Sequence, residues 1–472
     1  MSTLSTRAAD HKQDFELVAA PFLNDVGLPF AQVLDATTIA SAFDAEDALF
    51  AQEDVFSTAV VLWAFLAQVL RDGKESSCTA AVNDIAAFLL QTGHQPPSSD
   101  TGVYCRARAK LNVAALRRLV GGSARDLESA CADRWLWRGR HAKLVDGFTF
   151  TMPDTPDNRT AFPQNPSQIA GVGLPIARAC AVVSLATGCV CDLAIGPYAG
   201  KETGESALFR KLLGAFNAGD VAVFDRGFCS YWVIATLALR GIDVCARLNQ
   251  CRLSDFRSGE HLGPDDHLIT WPRPKRPAWM SEADYTLIPE TLTLREVRFQ
   301  VNEPQIRAKV ITVVTTLANP AACPGTAVAA LYRRRWDVEL DIRSIKQPLR
   351  LDHLRCKTPH MIECELWVTL LAHNLIRQVM ATAAAEHAKQ PRQLSFTMAC
   401  QTILTCWMLW ATGAVCDAAA MRTHLLAVIA SHEVANRPGR VEPRVIKRRR
   451  HHYPLMKQPR AELRARLKLG KP

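Results

Sequence analysis

The chain has 472 residues, 48% of them hydrophobic, and a formal charge of +10, enough to bury a large core and form two to four domains. Fifteen cysteines, an odd number with no C-x-x-C pair, argue against a disulfide framework and a zinc knuckle. The opening MSTLSTRAADHKQDF is polar, and the longest apolar run, TAVVLWAFLAQVL at 58–70, is too short to cross a bilayer, so we expect a soluble cytoplasmic protein without a membrane partner.

Residues 1 to about 130 read as helical. DVFSTAVVLWAFLAQVL and SCTAAVNDIAAFLLQTG are apolar at helical spacing. HQPPSSD breaks the pattern, and Ser99 or Asp100 then caps a third helix, TGVYCRARAKLNVAALRRLV. Its Tyr104, Arg106, Arg108 and Lys110 suit a helix-turn-helix-like DNA contact and an ordinary helical domain equally. From about 141 the texture changes. AKLVDGFTFTM alternates as a strand, with Leu144, Asp146, Phe148 and Phe150 on one face. ARACAVVSLATGCVCDLAIGP predicts two strands around ATG, its CVC being core rather than ligand. TGESALFRKLLGAF opens as a helix capped at Thr203, GDVAVFD is a buried strand, CSYWVIATLALRG a helix and IDVCARL another strand. Three strands followed by alternating helix and strand make a mixed sheet with helices. Residues 248 to about 305 read as a mostly β insertion, and AKVITVVTTL returns to the sheet. PGTAVAALYRRRWDVELDIRSIKQ predicts one long helix, started at Pro324-Gly325-Thr326 and stopped by Pro348. More helices follow over about 359–435.

The charge is concentrated in residues 436–472, where thirteen Lys/Arg against two Glu give +11 and leave the remainder at −1. Such a tail binds polyanions by counterion release, or merely solubilises; Arg dominance and the interruption by His451, His452 and Tyr453 favour nucleic acid.

Residues 331–347, LYRRRWDVELDIRSIKQ, set five cations and three carboxylates around Trp336. A charge run is ordinarily a solvated face. At about 100° per residue, however, Arg335, Glu339 and Lys346 fall within about 60° of Tyr332, and Trp336 about 40° to its other side. Asp337 and Asp341 point elsewhere. One carboxylate among cations and rings suits a site for a metal ion and a phosphate, given more carboxylates from elsewhere. Two candidates stand out. Asp146 sits mid-strand among large apolar groups and needs a cation beside it. Asp225 ends VAVF, where ligands gather in open sheets, although a strand-end Asp is as often a turn former. Asp154 and Asp157, in PDTPDN, read as loop residues. First-strand Asp, fourth-strand Asp and late-helix Glu is the layout of a ribonuclease-H-like sheet holding two metal ions for in-line phosphoryl displacement.

On these residues the chain resembles the DDE transposases of the bacterial insertion-sequence-four family. Their Y-x-x-R-x-x-x-E-x-x-x-x-x-x-K signature is matched by YRRRWDVELDIRSIK. LVDGFTF resembles the first-Asp strand, VAVFDRGFCSYW the second-Asp block and LRCKTPHMIECELWVTLLAHNLIR the segment after the signature, the whole covering about 140–460. The resemblance implies an α/β fold: a ribonuclease-H-like mixed sheet at 140–358 with the insertion at about 248–305, followed by a helical region at 359–435 suited to dimerisation. From the residues alone we expect a helical DNA-binding region at 1–130 and, from its charge, the basic tail at 436–472 as a further DNA contact. The resemblance implies Asp146, Asp225 and Glu339 as ligands of two Mg²⁺ or Mn²⁺ ions. Tyr332, Arg335, Lys346 and Arg226 would hold DNA phosphates, and Trp336 a flipped base, with Trp271 or Trp279 as a second stacking ring. The partners implied are terminal inverted repeats, target DNA and a second copy of the chain, on the bacterial nucleoid. The activity implied is cut-and-paste transposition through hairpin ends. The alternatives are a ribonuclease-H-like nuclease and a non-catalytic DNA-binding derivative.

Overall fold

The computed structural model describes residues 34–50, 55–91, 95–301, 310–411, 417–434 and 456–469. The polar opening and the tail from 436 to 455, with His451, His452 and Tyr453, lie outside the described residues.

Among the described residues five helices come first: α1 (Ala36–Asp44), α2 (Thr58–Leu70), α3 (Cys78–Gln91), α4 (Thr101–Arg108) and α5 (Val113–Ser129). The single helix expected over 101–120 is broken at Lys110–Asn112. Asn112 turns extended and its side chain accepts from the Ala115 N–H, starting α5 afresh. Tyr104 is fully buried, and Arg108 lies over the Phe65 ring and donates to Gln68 Oε1 at 3.1 Å. Those two side chains are spent inside the helical layer; only Arg106 and Lys110 of the basic set are at the surface.

The sheet layer then begins: β1 (Ala142–Thr151), α6 (Pro156–Ala161), β2 (Ile176–Ser184), β3 (Val190–Pro197), α7 (Glu205–Arg210), β4 (Val221–Phe224), α8 (Tyr231–Leu239) and β5 (Asp243–Arg247). α7 is capped by Gly204 rather than Thr203, whose hydroxyl is turned back to the Gly200 carbonyl. The insertion holds β6 (Glu260–Gly263), β7 (Asp266–Pro272), α9 (Glu282–Leu287) and β8 (Thr291–Gln300), and β9 (Val310–Thr315) follows. Among the described residues the strands form one nine-stranded sheet in the order β3-β2-β1-β4-β5-β9-β8-β7-β6. β1, β4 and β5 are parallel and every other pairing is antiparallel. The first five strands have the ribonuclease-H-like order, with the two Asp-bearing strands adjacent at the centre. The insertion strands are not a separate module: β8 pairs with β9 and carries the same sheet outward.

The signature segment is α10 (Gly325–Arg333), one 3₁₀ turn at Arg334–Trp336, and α11 (Asp337–Lys346). Then come α12 (Pro359–Glu386), α13 (Phe396–Ala411), α14 (Ala418–Ser431) and α15 (Arg460–Lys468). α12 is buried along most of its length and packs on α2, α5, α13 and α14, joining the terminal helical regions into one layer. Among the described residues no helix is long and apolar enough to cross a membrane, and the described cysteines are free thiols.

Asp341 fixes the orientation of the signature helix. It is 1% exposed and lies between Arg377 of α12, at 2.7 Å, and Arg392, at 2.8 Å. Burial raises its pKa despite both cations. Asp341→Ala would leave two buried guanidiniums uncompensated, so the expected loss of stability is about 3–5 kcal/mol. Denaturant unfolding checks this; a loss no larger than that of a surface substitution would show that the ion pair does not seat the helix.

Candidate active site

β4 pairs with β1 only as far as Phe224 opposite Val145, so the next positions on the two strands are Asp146 and Asp225. Beyond that point β4 turns away, while β1 runs on for six residues beside β2 alone. The sheet therefore opens a notch at the carboxyl end of its central strands, with one aspartate on each lip.

The signature helix covers this notch. Arg335, 6% exposed, reaches down with Nη1 3.5 Å from Asp146 Oδ2 and donates from Nη2 to Glu339 Oε1 at 2.8 Å. The fully buried Tyr332 donates its hydroxyl to Asp225 Oδ1 at 3.3 Å. Three carboxylates from three distant stretches of chain thus meet on one guanidinium and the phenol one turn away. Trp336 packs edge-on against Tyr332, ring centroids 5.9 Å apart, and lies against Arg335. The spacing argument holds for all five side chains, including Lys346, whose ammonium donates to the Thr149 carbonyl of β1 at 2.8 Å and pairs with Asp352 at 3.3 Å. Asp337 is turned away to Arg334. Arg226 is exposed at the end of β4.

Electrostatics follow the geometry. Burial pushes the Asp146 carboxyl up to about 6; Arg335 and the Gly147 N–H pull it down, and the charges of Glu339 and Glu205 push it further up. Burial also raises the Tyr332 hydroxyl, helped by Asp225. Burial works against the charge on Arg335, but the Glu339 hydrogen bond, Tyr332, Asp146 and Asp225 outweigh it, and its pKa rises.

Glu205 was not singled out from sequence. It opens α7 on the other side of the sheet, and its carboxyl lies over Gly147, where a Cβ would stand 2.4 Å from its carboxyl carbon. Any side chain at 147 would displace it. The only local signal is the glycine directly after Asp146. Of the two insertion tryptophans that are candidates for the second stacking ring, Trp271 lies inside. It is 5% exposed, with Arg252 3.7 Å above its ring, because β7 directs it into the core under the sheet. Trp279 is 38% exposed and carries Arg210 of α7 at 3.9 Å.

Carboxylate oxygens are the donors that Mg²⁺ and Mn²⁺ take. As placed, the acids are held by Arg335 and Tyr332, and among the described residues no group of three or more His, Cys, Asp and Glu stands close enough together to hold an ion. The donors suit such an ion in their chemistry, though not, as placed, in their spacing. Asp146 is a half-buried carboxylate with an excess of acid around it, a condition that a divalent cation reverses.

A family model described as a transposase DDE domain matches residues 137–375. The chain is 26% identical over 375 residues to transposase InsG for insertion sequence element IS4 of Escherichia coli (strain K12), covering 78% of this chain and 80% of that protein. It is 25% identical over 171 residues to putative transposase y4zB of Sinorhizobium fredii (strain NBRC 101917 / NGR234), covering 34% of this chain and 43% of that protein. Among solved structures it is similar to piggyBac transposase in a synaptic complex with hairpin DNA, at 10% identity and a TM-score of 0.43, over 92% of this chain and 87% of that one.

Proposed function

The chain belongs to the insertion-sequence-four family of DDE transposases, and from that premise we propose that it binds the terminal inverted repeats of its own insertion sequence, cuts them and joins the ends to target DNA at the Asp146–Asp225–Glu339 notch. It is a DNA-cleaving transposase enzyme; the substrate, the steps and the residue roles are our reading. The observation that carries this reading is the meeting of Asp146, Glu339 and, through Tyr332, Asp225 around Arg335.

Asp146, Asp225 and Glu339 would hold divalent ions, two in our reading. When bound, these polarise the scissile phosphate and lower the pKa of the attacking water. Arg335, Lys346 and Arg226, which is exposed, would hold phosphate oxygens beside the cut. A guanidinium suits this task because its fork matches two oxygens at once. Arg335 Nε is buried without a hydrogen-bond partner, so this side chain retains a donor for an anion. Tyr332 keeps its proton because burial and Asp225 both hold it on, and so it remains a donor. Trp336 offers a ring for a base lifted out of the stack. The 3′-hydroxyl freed by the first cut attacks the opposite strand to give a hairpin; after the hairpin opens, the 3′-hydroxyl attacks target DNA. Each step is a displacement at phosphorus, so one site serves all of them. Two copies of the chain act on the paired ends, and the N-terminal helical region takes part in recognising the repeats.

The test is incubation of the full chain with the repeat flanking its own gene and Mg²⁺, followed by mapping of the DNA ends. The expected result is cutting at the repeat boundary, leaving a 3′-hydroxyl and then a hairpin. Nicking unrelated to the boundary would point to a nuclease instead. Binding without any cutting would point to a non-catalytic derivative.

A further inference from the structure

The part of the basic tail that is described does not hang free. The Arg460 N–H, at the start of α15, donates to the Gly171 carbonyl at 3.1 Å, and its guanidinium donates to the carbonyls of Val172 and, at 2.9 Å, Gly173. The Pro459 ring lies against Gly171, whose φ of +76° and 3.0 Å clearance leave no place for a side chain. Beneath sits Asp154, its side chain 7% exposed. Oδ1 accepts from Arg159 at 2.6 Å. Oδ2 is buried without a hydrogen bond and faces Arg460 at 3.9 Å and Arg464 at 3.8 Å. The Arg159 hydrogen bond, with the charges of Arg460 and Arg464 behind it, holds the Asp154 carboxyl below the usual carboxylate range. One carboxylate serves three guanidiniums, so the cluster keeps a surplus of positive charge.

This socket has a definite place in the fold. The segment 152–175 leaves the carboxyl end of β1 and returns as β2, so it lies at the end of the sheet where Asp225 closes β4. Beyond Arg460 the helix faces outward: none of its residues is buried, and the Arg464 side chain is 62% exposed. Residues 456–469 carry five Lys/Arg against one Glu.

We propose that Asp154 is a socket that seats α15 beside the catalytic notch, and that the outward basic face of the seated helix holds the phosphate backbone of duplex DNA next to the cut. This rests on the reading of the protein as a DNA transposase. Two exposed leucines, Leu467 and Leu469, offer a second copy of the chain as a rival occupant. Charge decides for DNA: two equally basic helices repel, whereas a polyanion gains counterion release from each cation it meets.

The test uses the full chain and a duplex carrying its own repeat, with affinity measured from low to moderate salt. Two variants are compared: Arg466→Glu with Lys468→Glu on the outward face, and Asp154→Asn in the socket. Each lost phosphate contact lowers the slope of log affinity against log salt by about 0.9, so the double reversal should lower it by roughly two and weaken binding about tenfold or more. Asp154→Asn should lower the slope in the same direction and expose 456–469 to protease, while the melting temperature of the whole changes little. A wild-type protein that binds no duplex even at low salt would refute the transposase reading itself. If the wild type binds and cuts, an unchanged slope in the double reversal overturns the helix–DNA contact. A fall in the double reversal without a fall in Asp154→Asn overturns the socket. Loss of dimers in sedimentation with the slope unchanged overturns the proposal in favour of a second copy.

Discussion

Glu339→Gln is expected to bind repeat DNA as the unaltered chain does and to cut it about 10²–10³-fold more slowly, the scale of losing one preorganised electrostatic group. The amide keeps the volume and can still accept from Arg335 Nη2, which lies 2.8 Å away. It loses the negative charge that a divalent ion requires. The matching control is Asp337→Asn, two residues earlier. Asp337 is turned to Arg334 at the surface, where an ion pair is worth no more than about 1 kcal/mol, so cutting should be nearly unchanged. Single-turnover cleavage with a separate binding titration measures both. Equal losses in the two variants would mean that the helix face has no part in the chemistry.

Asp146→Asn should abolish cutting and at the same time stabilise the ion-free protein. The carboxyl is raised from the ordinary 3.8 to about 6, burial being the main cause. A carboxyl with a higher pKa folded than unfolded favours the folded state at low pH and loses that advantage as pH rises through the folded value. The penalty at Asp146 is therefore absent below about pH 4 and complete above about pH 6. Its side chain is 20% exposed, so a gain on the order of 2 kcal/mol is expected from the amide at pH 8, in chelator, and little at pH 4. Adding Mg²⁺ at pH 8 should shrink the difference, because an ion bound only by the folded, unaltered chain stabilises that chain. Unfolding at the two pH values decides it. A variant less stable than the parent at pH 8 would show that Arg335 already compensates the charge fully.

Much of this site was legible because two of its parts are periodic. The alternation of Leu144, Asp146, Phe148 and Phe150 put a carboxylate on an apolar face, and Leu144, Phe148 and Phe150 do share one core. The 3.6-residue period brought Tyr332, Arg335, Glu339 and Lys346 to one side, and a single 3₁₀ turn at 334–336 does not disturb it. That Asp146 and Asp225 would be neighbours depends on which strands pair, which local pattern does not encode. The same is true of Glu205, which reaches the site from across the sheet over a glycine. Strand pairing also decides the exposure of Trp271, one of two candidates for a stacking ring, which the β7–β8 register directs inward. The break between α4 and α5 had a local signal, Asn112, but the continuous apolar spacing on either side masked it. In the tail, charge indicated a polyanion partner, yet nothing in the composition marked Asp154, a loop residue by sequence, as the seat of Arg460 and Arg464.

The central claim is that Asp146, Asp225 and Glu339 hold ions at one place. Ferrous ion with ascorbate and peroxide, substituted for magnesium, cuts the protein backbone where the iron is bound, and the fragments can be mapped. The account predicts cuts together around Asp146, Asp225 and Glu339, suppressed by excess Mg²⁺ and lost from all three regions at once in Asp146→Asn, Asp225→Asn or Glu339→Gln. Cuts confined to one of these regions, or persisting at two when the third acid is replaced, would contradict a shared site.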